Sequence, residues 1–271
     1  FVVYSFLWII LTNYLSDWGK LFFIPFSNPL ISRVRNYEIN SSIKWLYVKQ
    51  IIKLGTSNFI NHTIMMLVNI VLNNSLKTYG AMSIYGSDIP LAVSGVIAKL
   101  NSILSAVSIG LAQGCQPILG FNMGAKNYSR VKETYKKAVS IAISISILAF
   151  ILFQGFPRQI TGIFGNGNEL YFQFAEQYMR IYMFMVCVFG VQPLTINYFT
   201  GTGNVKQGIL LSLSRQGFFL IPMLLILPQF LGLTGVLYAG PIADFMAFLL
   251  SVTMITLNFR KLDSQQSLAN K

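Results

Sequence analysis

Residues 110–137 read GLAQGCQPILGFNMGAKNYSRVKETYKK. An apolar helix carrying Gln113, Gln116 and Pro117 runs out through glycines into a segment where Lys126, Arg130, Lys132, Lys136 and Lys137 stand against one acid, Glu133. A soluble core would place aliphatic residues where the glutamines and the proline stand, and cations crowded beside an apolar run mark a juxtamembrane segment. The stretch reads as a helix leaving a membrane, and the rest of the chain is parsed outward from it.

Composition agrees. Of 271 residues, 54% are hydrophobic and only 10% charged, with a mean hydropathy of +0.59, whereas soluble domains carry about 25% charged residues. A net charge of +12 could in a soluble protein point to nucleic acid. Here the cations sit in short segments between apolar runs, as in the cytoplasmic loops of membrane proteins, so nucleic acid is not an expected partner and the lipid bilayer is. Cys115 and Cys187 lie in apolar runs without CxxC spacing, and His62 is the single histidine. A multi-histidine metal centre is thereby excluded within this chain, and HExxH, GxSxG and P-loop motifs are absent, so neither an enzyme nor a resident cofactor is expected.

The pattern predicts six complete spans, over 51–75, 89–116, 138–157, 178–200, 208–231 and 236–257, each near the ~20 residues that a bilayer requires. Residues 1–50 read as the tail of a preceding membrane helix and a basic cytoplasmic linker, with 41–53 an amphipathic surface helix; 51–259 form the six-helix lobe, and 260–271 a polar cytoplasmic tail. The chain opens at Phe1, already apolar, and is expected to be the C-terminal part of something longer. Ser140 and Ser144 suit close packing of the third span, 171–180 reads as a surface helix, and Gly190 and Pro193 allow a kink in the fourth span.

Few polar groups fall at membrane depth, and these are the pathway candidates. Asn58, His62, Asn69 and Asn73 share one face of the first span and should look onto a partner helix or a watery cavity. Lys99, about ten residues into the second span, is expected to face the bundle interior. Gln113 and Gln116 flank the carbonyl that Pro117 frees, as a cavity lining or as a kink that closes on itself. Arg215 and Asp244 are an arginine and an acid well inside consecutive antiparallel spans, and their depths allow an ion pair. Such a pair either locks two helices or involves Asp244 in proton or cation coupling. Met65, Met66, Met179, Met183, Met185 and Met223 line an adaptable pocket or only fill space.

Orientation follows from charge. If the segment after the second span is cytoplasmic, alternation puts its cations, those of residues 20–53, Lys206, Arg260, Lys261 and Lys271 on that side, against Lys77, Arg158 and Arg180 on the other. The positive-inside rule then makes the C-terminus of a plasma-membrane protein cytoplasmic.

The segment 110–138 closely resembles the basic-loop signature of the multidrug and toxic compound extrusion (MATE) family. NIVLNNSLKTYG (69–80), the GTGN turn at 201, SLSRQGFFLIPMLLILP (212–228) and GVLYAGPIADFMAF (235–248) resemble the same family in the same order, nearest its MepA-like branch. The resemblance implies an all-α, twelve-helix exporter of two six-helix lobes, in which exchange for H⁺ or Na⁺ drives small organic cations and aromatic drugs outward by alternating access. This chain resembles the C-terminal lobe alone. Its partner would be the N-terminal lobe, whose first-helix aspartate is the family's usual coupling site. Some branches carry an acid on the first helix of the C-terminal lobe, where this chain has only asparagines and His62. Two rival readings are a lipid-linked oligosaccharide flippase of the same superfamily, toward which Lys99 and Arg215 lean, and a truncated remnant that transports nothing.

Overall fold

The structure is a computed structural model that describes residues 45–164 and 167–269, with side chains over 61–164 and 167–267. The expectations for residues 1–44 lie outside the described residues. The chain divides between Lys53 and Leu54, and the second unit, Leu54–Lys271, holds the bundle. Among the described residues every regular element is helical.

The order is α1 (Trp45–Ala81), α2 (Asp88–Gly124), α3 (Tyr128–Gly155), the short α4 (Pro157–Phe164), α5 (Glu169–Tyr182), α6 (Val191–Gly201), α7 (Val205–Leu213), α8 (Ile221–Leu231) and α9 (Leu233–Ala269). A 3₁₀ turn, Phe184–Val188, links α5 to α6, and a π segment, Ser214–Leu220, links α7 to α8. Proline explains both interruptions. Pro193 and Pro222 sit in the first turns of α6 and α8, where a missing N–H is tolerated but the preceding turn loses its bond.

Among the described residues, five segments are long and apolar enough to cross a membrane: Asp88–Gly124, Tyr128–Gly155, Glu169–Gly201, Val205–Leu231 and Leu233–Ser267. The first of the six expected spans differs. It lies within α1, 37 residues long and more than long enough, but asparagines and His62 dilute its apolar run below the other five.

At the basic end one expectation is corrected, that of a basic loop, and the tail gains a helical description. The segment after α2 is no extended loop, because only residues 125–127 separate α2 from α3 and Arg130 to Lys137 already belong to α3. Asn127 N–H bonds the Asn122 carbonyl and Lys126 N–H that of Met123, the paired bonds of a Schellman turn. The left-handed position is Lys126, at φ 58°, rather than Gly124. Asn127 then caps α3 by accepting from Arg130 N–H. The polar tail is likewise helical, since α9 continues through 260–269 and buries Leu262.

The core has two parts. One gathers Leu76 of α1, Val93 and Ile97 of α2, Phe174 and Tyr178 of α5, Leu224 of α8 and Val236 of α9. The other, toward the basic end, gathers Ala112, Leu119, Tyr135, Leu194, Tyr198 and Ile255. Residues 171–180 are therefore no surface helix: Phe174, Ala175, Tyr178 and Met179 are buried. Nor do Ser140 and Ser144 pack between helices. Both are exposed, and the inward stripe, two residues along and so on the opposite face of the helix, is Ala138, Ala142 and Ser146. A Cβ on Gly190 would lie 2.9 Å from the Ala142 Cβ, the close approach that small residues permit between membrane helices. The outer surface carries Ile103, Phe121, Leu148, Phe218 and Phe230, an exposed apolar belt suited to lipid rather than water.

Candidate substrate and ion pathway

Arg215 leaves the helix within the π segment, whose wide turn is a feature that often marks functional sites. Its Nε donates to Asp244 Oδ1 of α9 at 2.5 Å, with the two side chains only 17% and 14% exposed. The guanidinium lies 5.5 Å from the centre of the Phe189 ring, a cation–π contact from the α5–α6 break. Val188, Phe189, Gln192, Arg215, Asp244 and Phe248 enclose about 10 Å³, room for roughly one water. Gln192 donates its amide N–H to the Leu211 carbonyl at 3.1 Å. The ion pair that the depths of the two residues allow is present, and it joins the two spans. Removing either partner would leave a charge without compensation among apolar helices.

The other pathway candidates do not join this pair. His62, Asn69 and Asn73 are exposed on α1, and none makes a hydrogen bond within the described residues. The side chain of Asn58 lies outside the described residues. The inward face of α1 is Val68, Leu72 and Leu76, so the polar stripe points away from the lobe and not onto a hydrogen-bonding neighbour within it. Lys99 is also exposed, which corrects its expected interior position. Val93, Val96, Ile97, Leu100 and Leu104 take the buried face of α2, and helical periodicity leaves position 99 outside it.

Gln113 and Gln116 part company. Gln113 is exposed, whereas Gln116 is packed where α2 crosses the end of α6: a Cβ on Gly201 would lie 2.8 Å from Gln116 Cγ. α2 passes through Pro117 without ending. The methionines do not form one pocket, since Met179 and Met183 are fully buried while Met65 and Met66 are exposed.

A polar network at the basic end was not legible in the sequence. Tyr135 and Thr195 share a hydrogen bond of 2.8 Å, and Tyr198 O–H donates to Asn258 Oδ1 at 2.7 Å. Tyr135, Tyr198 and Phe259 meet edge to face, with centroids 5.2–5.9 Å apart. Lys132 pairs with Asp263, so α3 of the basic stretch is tied to the continued α9. Each contact joins residues 60 or more apart in sequence. At the opposite end Arg158 grips Glu169 with two hydrogen bonds, 3.0 and 2.6 Å, clipping α4 to α5.

Fold and site together define a helical lobe of a polytopic membrane protein. The family model MatE matches residues 63–226, and the chain belongs to this family of multidrug efflux transporters. It is 26% identical over 210 residues to the multidrug export protein MepA of Staphylococcus haemolyticus (strain JCSC1435), covering 77% of this chain and 44% of that protein. The MepA of Staphylococcus aureus (strain MSSA476) is 24% identical, covering 78% and 44%. Among solved structures, the outward-facing conformation of a multidrug resistance MATE family transporter of the MOP superfamily superposes with a TM-score of 0.71 at 17% identity, covering 84% of this chain and 50% of that one. An inward-facing conformation gives 0.72 at 18%, covering 80% and 49%. The chain thus spans less than half the length of these MepA relatives.

Proposed function

We propose that this chain is the C-terminal half of a secondary-active efflux antiporter, which exports cationic and aromatic drugs by alternating access in exchange for H⁺ or Na⁺. One observation of the lobe supports the reading: His62, Asn69 and Asn73 of α1 and Lys99 and Gln113 of α2 all remain exposed. Polar groups at such depth are costly against lipid and belong beside a wet cleft. A second lobe facing α1 and α2 supplies the other wall of that cleft. Arg215 and Asp244 then act as a lock between spans rather than as the coupling acid, which lies in the N-terminal lobe. The basic end of α2 and α3 faces the cytoplasm, as does the end of α9.

The experiment is ethidium efflux from drug-hypersensitive cells that express this chain together with its N-terminal lobe. Efflux that collapses when the first-helix acid of that lobe is neutralised supports the reading. Ethidium retention identical with and without the pair of lobes sinks it. A second reading, flipping of an anionic lipid-linked sugar, is favoured by Lys99, which puts a cation on the exposed face of α2. It predicts that Lys99→Gln abolishes activity, whereas drug efflux tolerates the change.

A further inference from the structure

We propose that the groove between the end of α2 and the start of α3 is a binding site for the headgroup of an anionic phospholipid. The groove has a volume of about 350 Å³ and is lined by Ile118 and Asn122 of α2 and by Arg130, Glu133, Thr134 and Lys137 of α3. Its charge is set by three groups. Lys137 bonds Glu133 at 2.8 Å, so the one acid is already compensated. Arg130 has no ion pair at bonding distance among the described residues, and its guanidinium is exposed. A phosphodiester meets a fork of N–H donors there, the geometry an arginine suits best.

Two further features point to a lipid rather than to water alone. Thr195, Thr200, Thr253 and Thr256 each bond the carbonyl four residues back, as threonine does in a helix. Thr134 makes no such bond, which leaves a hydroxyl facing the groove beside Arg130. On the α2 side, Ile118 is 50% and Phe121 78% exposed, an apolar flank on which acyl chains can lie. From Arg130 to Lys137 the groove climbs about 10 Å along α3, enough to pass through the headgroup layer of one leaflet, which is about 5–7.5 Å deep. Basic pockets between membrane helices at this level are recognised lipid sites. The inference rests on the membrane character of the chain and not on the substrates proposed above.

Native mass spectrometry of the 271-residue chain, released from detergent with dioleoylphosphatidylglycerol or dioleoylphosphatidylcholine, tests it. The chain should retain the anionic lipid in preference to the zwitterionic one. Arg130→Gln with Thr134→Val should lower that retention about fivefold, the worth of one interfacial cation. Lys206→Gln, at an exposed cation of α7, should leave it unchanged. Equal retention of the two lipids, an equal loss in Lys206→Gln, or displacement by millimolar inorganic phosphate overturns the proposal. A photoactivatable phosphatidylglycerol added to the unaltered chain needs no variant: it should label residues 118–137, and labelling spread evenly over Leu148 and Phe230 overturns the proposal.

Discussion

Of the ion pairs that cross between helices among the described residues, Arg215–Asp244 and Lys132–Asp263 both tie α9 to an earlier span, and they sit in different solvents. Arg215 and Asp244 meet among apolar spans with about a sixth of each side chain exposed. Lys132 and Asp263 meet beyond the core, with Asp263 65% exposed. The first pair has no water to replace a lost partner. The second has water and salt on one side throughout. A charge pair is therefore structural according to the medium that its removal would expose, and not according to its length.

The largest effect should come from breaking the deep pair. Asp244→Asn leaves Arg215 without a counter-charge and should cost about 3–5 kcal/mol, read from the denaturant midpoint in detergent. The double change Arg215→Met with Asp244→Leu should recover most of that loss. If Asp244→Asn costs no more than Lys132→Ala, the contrast between the pairs fails.

Next comes the packing around that pair. A Cβ on Gly240, one turn before Asp244, would lie 2.4 Å from the Tyr182 ring, so Gly240→Ala should cost about 1–3 kcal/mol. Gly110→Ala, where nothing lies within 4 Å, should instead gain up to about 1 kcal/mol. Thermal midpoints of the two variants moving together would sink this account of the packing.

At the basic end the effects shrink. Lys126 holds φ 58°, a conformation that costs an ordinary residue about 1–2 kcal/mol. Lys126→Gly should raise stability by about 1 kcal/mol, and a fall in the melting temperature would contradict the turn geometry. Smallest is Lys132→Ala, which should cost roughly 0.2–1 kcal/mol and nothing measurable in 1 M salt, where screening acts within about 3 Å. A loss that persists at high salt would mean that this pair is structural too.

Much of the fold was open to reading because lipid is an unforgiving solvent. An apolar run of bilayer length can do little else than form a helix, so α2, α3 and the spans ending at Gly201, Leu231 and Ser267 lie where hydropathy put them. Arg215 and Asp244 were legible for the same reason, since charges that deep have few ways to be satisfied. The boundaries were less legible. Arg130 to Lys137 read as a loop because charge and apolar period separate cleanly in sequence, yet a helix does not end where its surroundings become aqueous. Lys99 read as interior because insertion cost says only that a lysine must avoid lipid, and not which side of the helix achieves it.

The sequence by itself determined that this is an all-α membrane lobe, where most of its long apolar helices run, and that Arg215 and Asp244 lie at depths that allow them to pair. These follow from transfer energies and helical period, which are local. Tertiary structure alone decided that Gln116 packs against Gly201 while Gln113 stays exposed, and that Ala142 rather than Ser140 meets a neighbouring helix. It also decided that Tyr135, Tyr198 and Lys132 find Thr195, Asn258 and Asp263. Those choices depend on the rotation of each helix against its neighbours, which side-chain volumes across the whole bundle fix together and which no single stretch of sequence contains.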